Sequence, residues 1–123
     1  MQAAIVDDSA TSRSILAKML NEYGLVVHEA CDAPEALRVL RDHPGIRVIL
    51  VDWDIPGGGG YDLVRQIRTD SVLVGRRIIM VTAEAGIDDV AAAIEAGIDD
   101  YLTKPFSALA IREKLDLLGV LAA

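Results

Sequence analysis

Cysteine is nearly absent from this 123-residue sequence: Cys31 stands alone. One thiol cannot build an internal disulfide framework, and the expectation is a reducing compartment, the cytoplasm. Long apolar runs are missing as well. No stretch approaches the ~18 residues that a membrane-spanning helix needs. The apolar start, Met1 to Val6, is cut short by Asp7-Asp8 before it could serve as a secretory signal. Positive charge is in deficit: 12 Lys and Arg face 19 Asp and Glu, for a net charge of −7. That balance argues against direct nucleic-acid binding and against anionic membrane surfaces; it suits a bound cation or a basic partner surface. No linker, low-complexity tract or internal repeat interrupts the chain. One domain over residues 1–123 is expected, large enough to bury roughly two-thirds of its unfolded surface without a covalent or metal staple.

What is present is alternation. Val48-Ile49-Leu50-Val51 runs straight into Asp52, and the chain then breaks into Trp53-Asp54-Ile55-Pro56 and four glycines, Gly57 to Gly60. A short continuous apolar run closed by turn residues reads as a strand buried on both faces. Similar short strands are expected at Gln2–Val6, Leu25–Glu29, Arg77–Val81 and Asp99–Thr103. Helical spacing fills the gaps: Ile15, Leu16, Met19, Leu20 and Tyr23; Ala36, Leu37 and Leu40; Leu63, Val64 and Ile67; Ile87, Val90, Ala91 and Ile94; Leu109, Ile111, Leu115 and Leu118. Ser9 or Thr11 can cap the first helix and Gly24 stops it. Asp32-Ala33-Pro34-Glu35 has the form of a capping box with proline in the first turn, and Gly97 stops the fourth helix. Five strand–helix units in strict alternation predict a parallel sheet with helices on both faces and right-handed crossovers. With the chain ending a few residues after the fifth helix, output is expected through noncovalent partners.

Strand ends carry the polar groups. The first ends in Asp7-Asp8, the third in Asp52, the fourth in Thr82, and Lys104 follows the fifth. In a doubly wound sheet these ends share one edge, where ligands bind. Three carboxylates at one point repel one another. A hard divalent cation relieves that repulsion, and Mg²⁺ suits a few oxygen ligands plus retained waters. An ionised aspartate beside Mg²⁺ and a lysine is a competent nucleophile toward a phosphoryl donor, and both cations offset charge on the transferred oxygens.

Four motifs in order carry a resemblance across essentially the whole chain. They are Asp7-Asp8; Asp52-Trp53-Asp54-Ile55-Pro56 with Gly60; Val81-Thr82-Ala83-Glu84-Ala85; and Tyr101 with Lys104-Pro105-Phe106. Together they resemble response-regulator receiver domains, in particular the short chemotaxis-type (CheY-like) receivers. The resemblance implies a flavodoxin-like/CheY-like (βα)5 fold; the strand order 2-1-3-4-5 comes from it and not from the residues. It implies Asp52 as phosphoacceptor, and Mg²⁺ held by Asp8, Asp52 and the backbone carbonyl of Asp54, with Asp7 acting through a metal-bound water. It implies Lys104 bridging Asp52 and the phosphoryl group, and a cis Lys104–Pro105 peptide. Thr82 and Tyr101 would be the switch pair, reshaping the face of the fourth helix, fifth strand and fifth helix. A histidine kinase or histidine phosphotransfer protein would be the donor. A downstream protein, such as a flagellar motor switch component, would be the target of a monomeric signalling switch that catalyses only its own phosphotransfer and dephosphorylation. A phosphate sink or relay is the near variant.

Two departures from the family pattern stand out. Asp54 is acidic where the chemotaxis archetype has asparagine; that position and Glu84 flank the attacking water, so Asp54 is expected to alter the phosphoryl lifetime. The run Gly57 to Gly60 costs conformational entropy on ordering, so a loop that is mobile without Mg²⁺ is expected. Among the remaining residues, Arg76-Arg77 reads as the solvated start of a strand, and His28 and His43 as too isolated for a metal pair. Cys31 reads as a plain thiol and Trp53 as a partly exposed neighbour of the site. Ala91-Ala92-Ala93 reflects helix propensity or a flat docking face. The alternative enzyme class is a haloacid-dehalogenase-type phosphatase, whose Asp-x-Asp pattern Asp52-Trp53-Asp54 satisfies; against it, the Asp7-Asp8 pair comes first and not last. An unphosphorylated interaction module or a flavodoxin-like cofactor binder is the third class.

Overall fold

The computed structural model describes residues 1–56, 59–83 and 86–119. Strands and helices alternate as β1 (Gln2–Val6), α1 (Ala10–Glu22), β2 (Val26–Ala30), α2 (Ala33–Asp42), β3 (Ile46–Asp52), α3 (Gly59–Thr69), β4 (Arg77–Thr82), α4 (Ile87–Ala96), β5 (Asp100–Thr103) and α5 (Ala108–Leu117). The strands form one parallel sheet in the order β2-β1-β3-β4-β5. No helix among the described residues is long and apolar enough to cross a membrane.

Period-two alternation along the central strands builds two cores at once. Ile49 and Val51 join Leu40, Leu63, Ile67 and Met80 under α2, α3 and α4. Val48 and Leu50 join Leu16, Leu20, Val81, Ile111 and Leu115 under α1 and α5. All four apolar residues of this β3 run have zero exposure. Each such side chain contributes about 1.5–3 kcal/mol relative to leaving it in water, so β3 is the strand least able to slip. A one-residue shift would also carry Asp52 from one face to the other.

The helix boundaries follow local chemistry. Ser9 caps α1 by accepting from Ser12 N–H, and Gly24 follows its last turn at φ 87°. Asp32 caps α2 by accepting from Glu35 N–H at 2.8 Å. Glu35 reaches back to the N–H of Cys31, one residue before the cap, so the capping box closes one position wider than its usual form. Gly97 ends α4 at φ 123°. β2 lies one residue later than the alternation suggested, β3 begins two residues earlier, at Ile46, and β5 begins one residue later, at Asp100.

Several expected core residues face outward. Ile15, Ile94 and Leu109 are all more than half exposed, whereas Ala17, Ala93 and Ala96 are buried beside them. Small side chains let α1 and α4 lie close to the sheet, and the larger neighbour then falls off the contact stripe. Ala91 and Ala92 are exposed, so the alanine run is split between core and surface. The side chain of Ile87 lies outside the description. Arg76 corrects the reading of Arg76-Arg77. Arg77 is solvated as expected, but Arg76 is buried, donating to the carbonyls of Val72 at 2.8 Å and Pro44 at 3.3 Å. His28 and His43 are not isolated either: their rings stack with centroids 4.0 Å apart, and His28 Nε2 lies 2.8 Å from Gln2 Oε1.

Candidate functional site

The carboxyl ends of β1, β3 and β5 deliver the site. Along β3 the row Val48–Leu50 continues to Asp52, and along β1 the row Ala3–Ile5 continues to Asp7, so both carboxylates leave the sheet on the α1/α5 side. Asp7 is 4% exposed and Asp52 9%; Asp8, one residue on, is exposed. Each of the three offers a carboxylate oxygen, and these oxygens lie within 4.8 Å of one another. Lys104 reaches in from the end of β5, its Nζ 3.4 Å from Asp52 Oδ2 and 3.6 Å from Asp7 Oδ2. Its backbone is held by a 2.7 Å bond from its N–H to the Thr82 carbonyl, and the Lys104–Pro105 peptide is cis. Four of the residues singled out in the sequence thus meet at one rim.

Local hydrogen bonds fix the aspartates. Asp7 Oδ1 accepts from Ser9 N–H at 2.8 Å, and Asp52 Oδ1 accepts from Asp54 N–H at 3.1 Å. The second oxygen of each therefore faces Lys104. The Asp54 residue itself is exposed. Burial in the cluster holds the Asp7 carboxyl above its ordinary value, and the Asp52 charge adds to this against the opposing Ser9 N–H and Lys104. One lysine does not balance three carboxylates. That surplus, with oxygen donors at this spacing, fits a hard divalent cation. Beneath the cluster a cavity of about 390 Å³ runs between α1 and Phe106, walled by Ile15, Leu16, Met19, Leu50 and Val81. Its apolar wall strengthens every charge interaction at the rim.

Of the residues expected to form a switch pair, Thr82 ends β4 and Tyr101 lies near the start of β5. Thr82 closes β4 and is buried; its strand neighbour Val81 pairs with Asp52. Tyr101 lies on β5, half-buried, packed against the α2–α4 core with Lys114 Nζ 5.3 Å from its ring centroid. Trp53 is partly buried, as expected for a neighbour of the site. Two of the four glycines have a reason. Gly59 adopts φ 76°, and a Cβ on Gly60 would come within 2.6 Å of the Trp53 ring and 3.0 Å of its Cα. Gly57 and Gly58, on which the loop expectation falls, and Glu84 and Ala85 lie outside the described residues. Burial, then Glu35 and Asp32, push the Cys31 thiol up, which disfavours a reactive thiolate.

Sequence reasoning missed Arg13. Its guanidinium bonds the backbone carbonyl of Asp7 at 2.6 Å and Glu29 at 3.2 Å. Only its spacing from Asp8 on the first turns of a helix could have drawn attention to it.

Three comparisons bear on this rim. The family model described as "Response regulator receiver domain" matches residues 3–116. The chain is 39% identical over 118 residues to the chemotaxis protein CheY of Pseudomonas aeruginosa, covering 94% of each. It is 37% identical over 118 residues to the chemotaxis protein CheY1 of Helicobacter pylori, covering 95% of each. Among solved structures, the chemotaxis protein CheY4 of Vibrio cholerae superposes with a TM-score of 0.89 at 27% identity, covering 94% of this chain and 96% of that one.

Proposed function

The chain belongs to the response regulator receiver domain family, and we propose that it works by itself as a phosphorylation-controlled switch with Asp52 as acceptor. The observation that carries the reading is the convergence of Asp7, Asp8, Asp52 and Lys104 on one point. The chain matches its CheY relatives over 94–95% of their length, which supports a receiver of the same kind. Their chemotaxis names make a motor-directed target the leading form of the proposal, with a phosphate sink or relay as its variant. The cytoplasm is the proposed location. The same family membership removes the case for a haloacid-dehalogenase-type phosphatase: a receiver is not a classical enzyme.

In the proposed reaction a carboxylate oxygen of Asp52 attacks the phosphorus of a phosphohistidine. The P–N bond breaks, the imidazole nitrogen keeps the electron pair and takes up a proton, and an acyl phosphate remains on Asp52. Asp8, Asp52 and the Asp54 carbonyl would hold Mg²⁺, with Asp7 acting through a water, and the ion would supply charge neutralisation for the phosphoryl oxygens. Lys104 Nζ, already 3.4 Å from Asp52, follows the charge as it moves outward onto the phosphoryl group. Thr82 and Tyr101 then couple the rim to the α4-β5-α5 face, where the target binds.

Acetyl phosphate with Mg²⁺ tests this reading. One hydroxylamine-sensitive phosphate per chain is expected in the wild type and none in Asp52→Asn. Labelling that survives in Asp52→Asn, or multiple-turnover hydrolysis of a phosphomonoester, would sink it.

A further inference from the structure

We propose that Arg13 is a positioning residue for the metal-binding carboxylates, clamping the turn that carries Asp7 and Asp8 onto the end of β2. The inference rests on reading Asp7, Asp8 and Asp52 as a Mg²⁺ site. Arg13 sits in the first turns of α1, where its N–H bonds the Ser9 carbonyl at 3.0 Å. Its Nη1 donates to the Asp7 backbone carbonyl at 2.6 Å, and its Nε donates to Glu29 Oε1 at 3.2 Å. The side chain is 19% exposed, less than most charged groups of this surface.

The geometry explains why one side chain matters to two ligands. The Asp7 N–H already bonds the Ala30 carbonyl at 3.0 Å, and Asp7 Oδ1 is held by Ser9 N–H. Arg13 adds the Asp7 carbonyl, which belongs to the peptide unit leading into Asp8. Asp7 is then fixed at its amide, its carbonyl and one carboxylate oxygen. Asp8 is exposed, so its direction follows from the orientation of the peptide before it. Without the clamp that peptide can rotate, and ordering it becomes part of the cost of holding the ion.

Arginine suits this task because its rigid fork serves a carbonyl and a carboxylate in two directions at once. Its charge is the complication. A guanidinium beside the acid cluster opposes a bound cation, and Glu29 offsets it. Position and charge therefore make opposite predictions. If Arg13 acts through position, removing it weakens Mg²⁺ binding; if it acts only as a nearby charge, removing it tightens binding.

Calorimetric Mg²⁺ titration of the full chain, with Trp53 emission as an optical check, distinguishes the two. Arg13→Met is expected to raise the Mg²⁺ Kd on the order of tenfold, as loss of a partner that orients a ligand commonly does. Arg13→Lys, which can still donate to the Asp7 carbonyl, is expected to recover affinity to within about threefold. Arg68→Met, which removes a network at the opposite end of the sheet, should lower the melting temperature and leave the Mg²⁺ Kd unchanged. Unchanged or tighter binding in Arg13→Met overturns the inference. So does a lysine variant as weak as the methionine one, or an Arg68→Met protein equally impaired in Mg²⁺ uptake. Should Arg13→Met not fold, Arg13→Gln carries the same comparison, with at least roughly threefold weakening expected. A wild-type protein that takes up no Mg²⁺ overturns the underlying metal reading as well; a wild type that binds, with Arg13→Met its equal, overturns the clamp alone.

Discussion

The two ends of the sheet handle charge in opposite ways. At the amino end Arg68 donates to the carbonyls of Gly97, Val74 and Arg76 and to Asp99, which in turn accepts from Ile78 N–H and Arg77. There each side-chain nitrogen of Arg68 has an acceptor and each carboxylate oxygen of Asp99 a donor, although the neighbouring buried Arg76 Nε has none, and the network ties α3, α4 and β4 together. At the carboxyl end three carboxylate groups gather, and one lysine lies 3.4–3.6 Å from two of them, Asp52 and Asp7. Charge is left unbalanced, and burial raises one of the carboxyls above its ordinary value. The difference teaches where to look for function. A matched network stabilises and has no affinity to spare; an unmatched one gives up stability and keeps the capacity to bind.

The sharpest break in that comparison comes from Lys104, the cation paired with Asp52 and Asp7 at the carboxyl end. Lys104→Met should reduce acetyl phosphate labelling of Asp52 on the order of a hundredfold, as loss of a group aimed at developing charge does. A labelling rate within a factor of two of wild type would mean that Lys104 does not serve the transfer. At the amino end the same kind of change should do the reverse. Arg68→Met should cost about 2–3 kcal/mol of unfolding free energy, because buried partners lose charge-assisted bonds, with labelling preserved. Denaturant unfolding measures this, and a loss under about half a kcal/mol would mean the network is ornamental.

A third variant tests whether charge at the rim is held against stability. The Asp7 carboxyl is raised in the folded state, so the folded protein binds its proton more tightly than the unfolded chain does. Stability of the metal-free protein therefore falls as pH rises from the ordinary carboxylate value through the folded one. Asp7→Asn should raise the melting temperature of the metal-free protein near neutral pH and weaken Mg²⁺ uptake about tenfold. A less stable Asp7→Asn protein would show that the cluster is not strained by its own charge. The smallest effect is at the opposite corner. Burial, and then His43, lower the His28 pKa from its ordinary 6.5. The unfolded chain takes the proton first as pH falls, so this contribution is whole above pH 6.5 and lost below it. His28→Gln should flatten stability between neutral and mildly acidic pH; an unchanged slope would remove His28 from the account.

Much of the site was legible because chemistry and position coincide at strand ends. Asp7-Asp8 and Asp52 close apolar runs and Lys104 follows a short strand, and a parallel sheet has one edge for all such strand ends. Less legible was anything decided by contact between distant segments. Arg76 sits beside Arg77 with the same charge, yet one is buried between two carbonyls and the other is solvated. Ile94 looked like core, but Ala93 and Ala96 take its place, because periodicity gives a face and not the angle at which that face meets the sheet. His28 and His43 stack across a β2–α2 gap that spacing cannot reveal.

By itself the sequence determined the alternation of strands and helices, and the charged residues available at the strand ends. Both follow from local rules: apolar periodicity, caps, and the cost of burying a lone carboxylate. Tertiary structure alone decided that Arg13 would grip the Asp7 carbonyl, that Asp7 and Asp52 would share one lysine, and that α4 would bury alanines in place of isoleucine. Those outcomes depend on distances between segments far apart in the chain, and only packing sets such distances.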